Sequence, residues 1–243
     1  MDCIFYILLS LIGIIFLFIL FTIFCSFAVR KDKEYTKDSK LYRFLLNIWS
    51  AIVIRFARIK FEYSGLENIP SDCNFLIVGN HRSNFDPIIT CYALRKYPIA
   101  FVSKGENFKI PFFGRIIRKC CFMEIDRENP RNAMRTINRA TELLKNCNLS
   151  VGIYPEGTRN KTEELLLPFH NGVFKIAQKS NVPIVVITLI NTEKIAKNFP
   201  LRSTKVRVEV SKVIPADLVT ACRTTEISEM VEKSICKSYE YNT

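Results

Sequence analysis

Positions 3–29 form a run of 27 residues without a charged side chain, closed by Asp2 on one side and Arg30 on the other. As α-helix at 1.5 Å per residue the run reaches about 40 Å, longer than the ~30 Å hydrocarbon core of a bilayer. It predicts an uncleaved membrane anchor over residues 1–30. A cleaved signal peptide would start basic, carry a shorter apolar run and end on small residues. Here the start is Met1-Asp2, and Thr22-Ile23-Phe24 ahead of Cys25 is bulky. The period then changes. Leu45, Leu46, Ile48, Trp49, Ile52, Val53 and Phe56 recur at helical spacing, with Arg43, Arg55, Arg58 and Lys60 around them. That pattern predicts an amphipathic helix within a 31–60 segment. It either lies in the membrane interface, with Trp49 at headgroup level, or is an ordinary amphipathic helix of the domain that follows.

From residue 61 to 243 short β-rich runs alternate with helical patterns. Strands are expected at Phe75–Gly79, Ile99–Ser103, Cys121–Ile125, Leu149–Tyr154 and Val182–Ile190, with a weaker one at Val206–Val210. Helices are expected at Asn132–Cys147, at Gly172–Lys179 and in the tail through Ile227, Met230, Val231 and Ile235. The alternation predicts an α/β domain with a largely parallel sheet, in which ligands gather at the carboxyl ends of the strands.

Composition narrows the picture. The 243 residues carry 35 Lys and Arg against 23 Asp and Glu, and 49% are apolar, enough to bury a core. Arg30-Lys31-Asp32-Lys33 follows the apolar run and nothing basic precedes it, so the domain is expected on the cytoplasmic face of the cell membrane. The basic excess beside a span favours phospholipid headgroups over nucleic acid, for which no motif is present. The nine cysteines are scattered, with no Cys-x-x-Cys, and read as reduced structural thiols rather than a disulfide framework or zinc site.

Two polar clusters follow buried strands. In Asn80-His81-Arg82-Ser83-Asn84-Phe85-Asp86-Pro87, a carboxylate five residues from a histidine can fold back onto it, fix its tautomer and leave Nε2 as a base. Asp86 before Pro87 also suits a plain helix cap. In Tyr154-Pro155-Glu156-Gly157-Thr158-Arg159, a glycine allows close backbone approach and a guanidinium can grip phosphate; a solvated polar turn is the other reading.

Taken together, Asn-His-Arg-Ser-x-x-Asp and Pro-Glu-Gly-Thr-Arg resemble the glycerolipid acyltransferase family, best known for the 1-acylglycerol-3-phosphate (lysophosphatidate) acyltransferases. Two further blocks match in order: Ile110–Gly114 leading to Phe122–Arg127, and Val182–Val185. The resemblance covers about residues 61–210 and implies an acyltransferase domain over 61–243. It implies His81 as general base and Asp86 as its orienting carboxylate. Glu156, Gly157, Thr158 and Arg159 become the acceptor-binding block, Arg127 a second phosphate ligand and Lys104 a weaker match. Cys121 stands where the family usually has glycine, and His170 where lysine is common; His170 reads as a surface or turn residue. The implied reaction is acyl transfer from acyl-CoA or acyl carrier protein to lysophosphatidic acid, giving phosphatidic acid, with no metal or cofactor. Glycerol 3-phosphate or another lysolipid as acceptor, and a lipid hydrolase, are the alternatives. Ser83 lacks the Gly-x-Ser-x-Gly elbow of a covalent nucleophile. The mixed apolar and basic segment 108–119 either meets the headgroup layer, lines an acyl tunnel or is a core helix with basic edges.

Overall fold

The structure, a computed structural model, describes residues 2–126 and 129–240. Helix α1 (Asp2–Phe27) leaves nearly all of its apolar side chains exposed, from Ile4 to Leu20. Among the described residues it is the one helix long and apolar enough to cross a membrane. Only its last turns are docked. Helix α2 (Lys40–Phe56) crosses there, with Tyr42 Oη donating to Cys25 O at 2.7 Å and Trp49 Nε1 donating to Thr22 Oγ1 at 3.3 Å. Trp49 also lies against Phe18, so the lone tryptophan packs on α1.

The inner face of α2 (Tyr42, Leu45, Leu46, Ile54) is buried in the domain, while Leu41, Phe44, Ile52 and Phe56 stay exposed outside. Arg43 fastens it further. Its guanidinium takes Asp38 in a fork at 2.8 and 3.1 Å and donates to Ile99 O and Cys120 O. The helix stops at Phe56, short of residue 60, because Arg58 has φ +54 and the chain turns into β1 (Ile59–Ser64).

Six more strands complete one sheet: β2 (Leu76–Gly79), β3 (Ile99–Lys104), β4 (Met123–Ile125), β5 (Ser150–Ile153), β6 (Ile184–Ile190) and β7 (Thr204–Ile214). Their order is β1-β7-β6-β2-β5-β3-β4, parallel throughout except for the antiparallel β6–β7 pair. Strands β2, β5 and β6 are buried at every position, which is why they read as continuous apolar runs. β7 alternates instead and is twice as long as its apolar segment suggested.

Between the strands lie α3 (Asp86–Ala93), α4 (Gly105–Lys109), α5 (Phe113–Lys119), α6 (Pro130–Asn146) and α7 (Lys175–Ser180). After β6 come α8 (Ile195–Asn198), α9 (Ala216–Ala221) and α10 (Thr224–Glu240). Helix α6 starts where Asn129 accepts the Arg131 and Asn132 N–H groups, and it buries Ala140, Leu143 and Leu144. Helix α10 buries Ile227, Val231 and Ile235. The central strand β2, with β5 and β6 on either side, carries the first polar cluster at its carboxyl end, and β5 carries the second.

Candidate active site

The site is built outward from the end of β2. A Cβ on Gly79 would meet the Ile187 carbonyl oxygen, so glycine lets β2 lie close to β6 at this point. One residue on, the buried Asn80 side chain continues the ladder that the backbone leaves. Its Nδ2 donates to Leu189 O and its Oδ1 accepts from Leu189 N, both at 2.8 Å. The chain then turns, and His81 Nδ1–H donates to Asp86 Oδ2 at 2.8 Å. The same oxygen accepts the Arg82 and Ser83 N–H groups at 2.8 and 2.7 Å. Asp86 is fully buried and its side chain points back into the turn, not forward as a cap; the cap position is Phe85. The carboxylate therefore shapes the loop and fixes the imidazole at once, leaving Nε2 toward a cleft.

The second cluster closes over the first. Tyr154–Gly157 is a tight turn, with Gly157 N–H donating to Tyr154 O at 3.0 Å, Pro155 second in the turn and Gly157 at φ +68. Its contents are cross-linked to His81. Glu156 Oε1 accepts the His81 N–H at 2.6 Å and Oε2 accepts the Leu167 N–H at 3.0 Å, while Asn160 N–H donates to His81 O at 2.7 Å. The Tyr154 ring stacks on the His81 ring, with centroids 4.5 Å apart and 14° between planes; its hydroxyl lies 3.2 Å from Thr90 Oγ1. Arg82 grips the next segment, donating to the carbonyls of Thr162, Glu164 and Leu165. Sequence reading placed Asn80, Tyr154 and Arg82 in the right motifs without a task. Their side-chain partners lie 64 to 159 residues away along the chain, beyond any local pattern.

The cleft encloses about 420 Å³. His81, Gly157, Thr158 and Arg159 line it, together with Lys104 from the end of β3. His170 is an exposed turn residue whose N–H donates to Pro155 O, and it also faces the cleft. Val102, Ile125, Ile137, Ile153 and Val173 make an apolar floor. Arg127 lies outside the described residues. Glu156 is placed differently from its block: it is buried, does not line the cleft, and both its oxygens are spent on backbone N–H groups. Ser83 is also turned away, its Oγ accepting the Phe85 N–H. Burial pushes the Cys91 and Cys121 thiols up to about 12, so neither supplies a thiolate. Among the described residues no three or more His, Cys, Asp or Glu side chains come together to hold a metal ion.

An imidazole steered by a buried carboxylate, opening on a cleft with two cations and an apolar floor, can take a proton from a hydroxyl beside a bound anion. Glu156 tests the scaffold of that arrangement. Burial pushes its carboxyl above the ordinary range, against the N–H groups of Leu167 and His81. Folding therefore favours the protonated carboxyl, so this contribution to stability is present below the ordinary carboxylate range and falls as pH rises through it. Glu156→Gln offers one acceptor where two are used, and is expected to cost about 1–3 kcal/mol. The deficit should be largest below the carboxylate range and shrink as pH rises. Thermal unfolding of both proteins against pH checks this; a pH-independent deficit would contradict it.

Comparison with known proteins gives consistent results. A family model described as Acyltransferase matches residues 60–190. The chain is 38% identical over 157 residues to the chloroplastic 1-acyl-sn-glycerol-3-phosphate acyltransferase BAT2 of Brassica napus, covering 64% of this chain and 44% of that protein. It is 33% identical to the 1-acyl-sn-glycerol-3-phosphate acyltransferase of Helicobacter pylori strain J99, covering 68% and 69%. The alignments thus span under half of the plant relatives and about two thirds of the bacterial one. The fold is similar to the crystal structure of the 1-acyl-sn-glycerophosphate (LPA) acyltransferase PlsC from Thermotoga maritima. The TM-score is 0.66 at 22% identity, over 91% of this chain and 89% of that one.

Proposed function

The chain belongs to the Acyltransferase family, and from that premise we propose that it moves a fatty acyl group from an acyl thioester to the free hydroxyl of 1-acylglycerol 3-phosphate, giving phosphatidic acid. The observation that carries the reading is the His81–Asp86 couple opening on the same cleft as Arg159 and Lys104. Arg159 and Lys104 take the acceptor's phosphate, and Arg127 is assigned the same role. His81 Nε2 removes the hydroxyl proton, and the oxygen attacks the thioester carbonyl. The C–S bond then breaks, and the imidazolium gives its proton to the departing thiolate of coenzyme A or acyl carrier protein. Asp86 balances the transient positive charge. Acyl thioesters are already activated, so the scheme calls on no metal or cofactor.

The acceptor and product are bilayer lipids, each held there by ~0.8 kcal/mol per buried CH₂. An enzyme held by a single span, with its cleft on the cytoplasmic face of the cell membrane, avoids extracting them fully. The test is incorporation of labelled acyl thioester into lysophosphatidate, with glycerol 3-phosphate and no acceptor in parallel. Lysophosphatidate should be the productive acceptor. Release of free fatty acid at a comparable rate without acceptor would make the protein a hydrolase instead. Arg159→Ala should raise the acceptor KM about tenfold to a hundredfold, the worth of a charge-assisted contact, with kcat little changed. A fall in kcat at constant KM would remove Arg159 from the phosphate.

A further inference from the structure

Helix α4 separates two spaces. Glu106 and Asn107 face the catalytic cleft; Gly105, Phe108 and Lys109 face the other way, onto a groove of about 450 Å³. Lys31, Lys109, Arg115 and Arg118 line that groove against a single acid, Glu124, which lies 3.7 Å from Arg118. Arg115 is pinned at the end of α1, donating to Ser26 O at 3.1 Å and lying over the Phe27 ring at 4.9 Å. A second groove, of about 270 Å³ and walled almost wholly by apolar side chains, runs between α1, α2 and α5 past Ile19, Ile23, Val53 and Ile116. The two grooves share Pro111 and Phe112. Phe112 is 40% exposed and sits at φ +59, ψ −53, a conformation L-residues rarely adopt.

The order of these parts along α1 identifies what fits. Ile19, Ile23 and Phe27 follow one another at four-residue steps on one face, covering about 12 Å, and Lys31 lies just beyond the helix end. The apolar groove therefore flanks the apolar helix, and the basic groove lies at its end. That is the order of acyl chain and phosphate in one leaflet of a bilayer. We propose that the paired grooves hold one anionic diacyl phospholipid, separate from the reacting acceptor, with its phosphate among Lys31, Lys109 and Arg115 and one acyl chain beside Ile19 and Ile23. Charge complementarity selects an anionic headgroup, and the continuous apolar half selects a lipid over a soluble phosphate. The site does not depend on acyl transfer.

The full-length protein, without acyl donor, is reconstituted in phosphatidylcholine nanodiscs containing a minor fraction of phosphatidylglycerol. Lipid retained after gentle extraction is counted by native mass spectrometry. The expected result is one phosphatidylglycerol per chain, strongly enriched over phosphatidylcholine. Lys31 and Lys109 are exposed, so Lys31→Gln/Lys109→Gln leaves packing intact and should cut the enrichment about thirtyfold, near the worth of two basic residues at an anionic surface. Val53→Trp, filling the apolar groove, should lower retention with the charges untouched. Equal retention of the two lipids, wild-type retention by both variants, or one-for-one displacement by coenzyme A would each overturn the proposal.

Discussion

His81→Ala is expected to lower the rate of acyl transfer by about two to four orders of magnitude, the usual worth of a positioned general base. The acceptor hydroxyl is a weak nucleophile until its proton leaves, and His81 is the one imidazole in the cleft braced by a carboxylate, at 2.8 Å from Asp86. His170 also faces the cleft, but it is exposed and, among the described residues, its side chain has no such brace. Acceptor KM should change little, because the side chains proposed for the phosphate, Arg159 and Lys104, are left in place. Initial rates with labelled thioester and saturating lysophosphatidate give the answer. A variant within tenfold of wild type would remove His81 from the chemistry.

Asp86→Asn should lose about 10²–10⁴ in kcat by a different route. One carboxylate oxygen accepts from His81 Nδ1, Arg82 N and Ser83 N. An amide oxygen in that place keeps the three bonds but lacks the charge that balances the imidazolium. An amide nitrogen in that place leaves the donors unanswered inside the protein, at about 1–3 kcal/mol for each unsatisfied group. The first case gives a folded, slow enzyme with unchanged acceptor KM; the second adds a lower unfolding temperature. Kinetics and thermal unfolding of the same preparation separate them. Wild-type kcat from Asp86→Asn would reduce the carboxylate to a loop fastener.

Much of this was legible in the chain. Continuous apolar runs located β2, β5 and β6, because strands covered on both faces need no polar side. Both polar clusters lie at the carboxyl ends of neighbouring parallel strands, as an α/β pattern predicts. The β1 edge of the sheet was not legible, whereas the β4 edge fell within the expected Cys121–Ile125 strand. β1 reads Ile-Lys-Phe-Glu-Tyr, a half-buried alternation that abuts a helix of similar composition, and its partner β7 lies 145 positions further on. The antiparallel turn from β6 into β7 passes through α8 and leaves no short hairpin signal. Inside the site, spacing paired His81 with Asp86 across five residues. No spacing could tell that the Glu156 carboxyl is turned onto the backbone of His81, 75 residues away. A glutamate three residues before an arginine in a polar turn carries no local mark that the fold will bury it against backbone N–H groups.

The docking of α1 has a mechanical consequence. Three bonds, from Tyr42 to Cys25, Trp49 to Thr22 and Arg115 to Ser26, bolt its last turns to the domain, and Arg43 rivets α2 to β3 and the end of α5. Such a joint differs from a flexible tether, whose ends make no contact with each other. With these bonds intact, the cleft and the last turns of α1 are expected to keep one mutual angle and to travel as one body, so that any tilt of α1 tilts the mouth of the cleft with it.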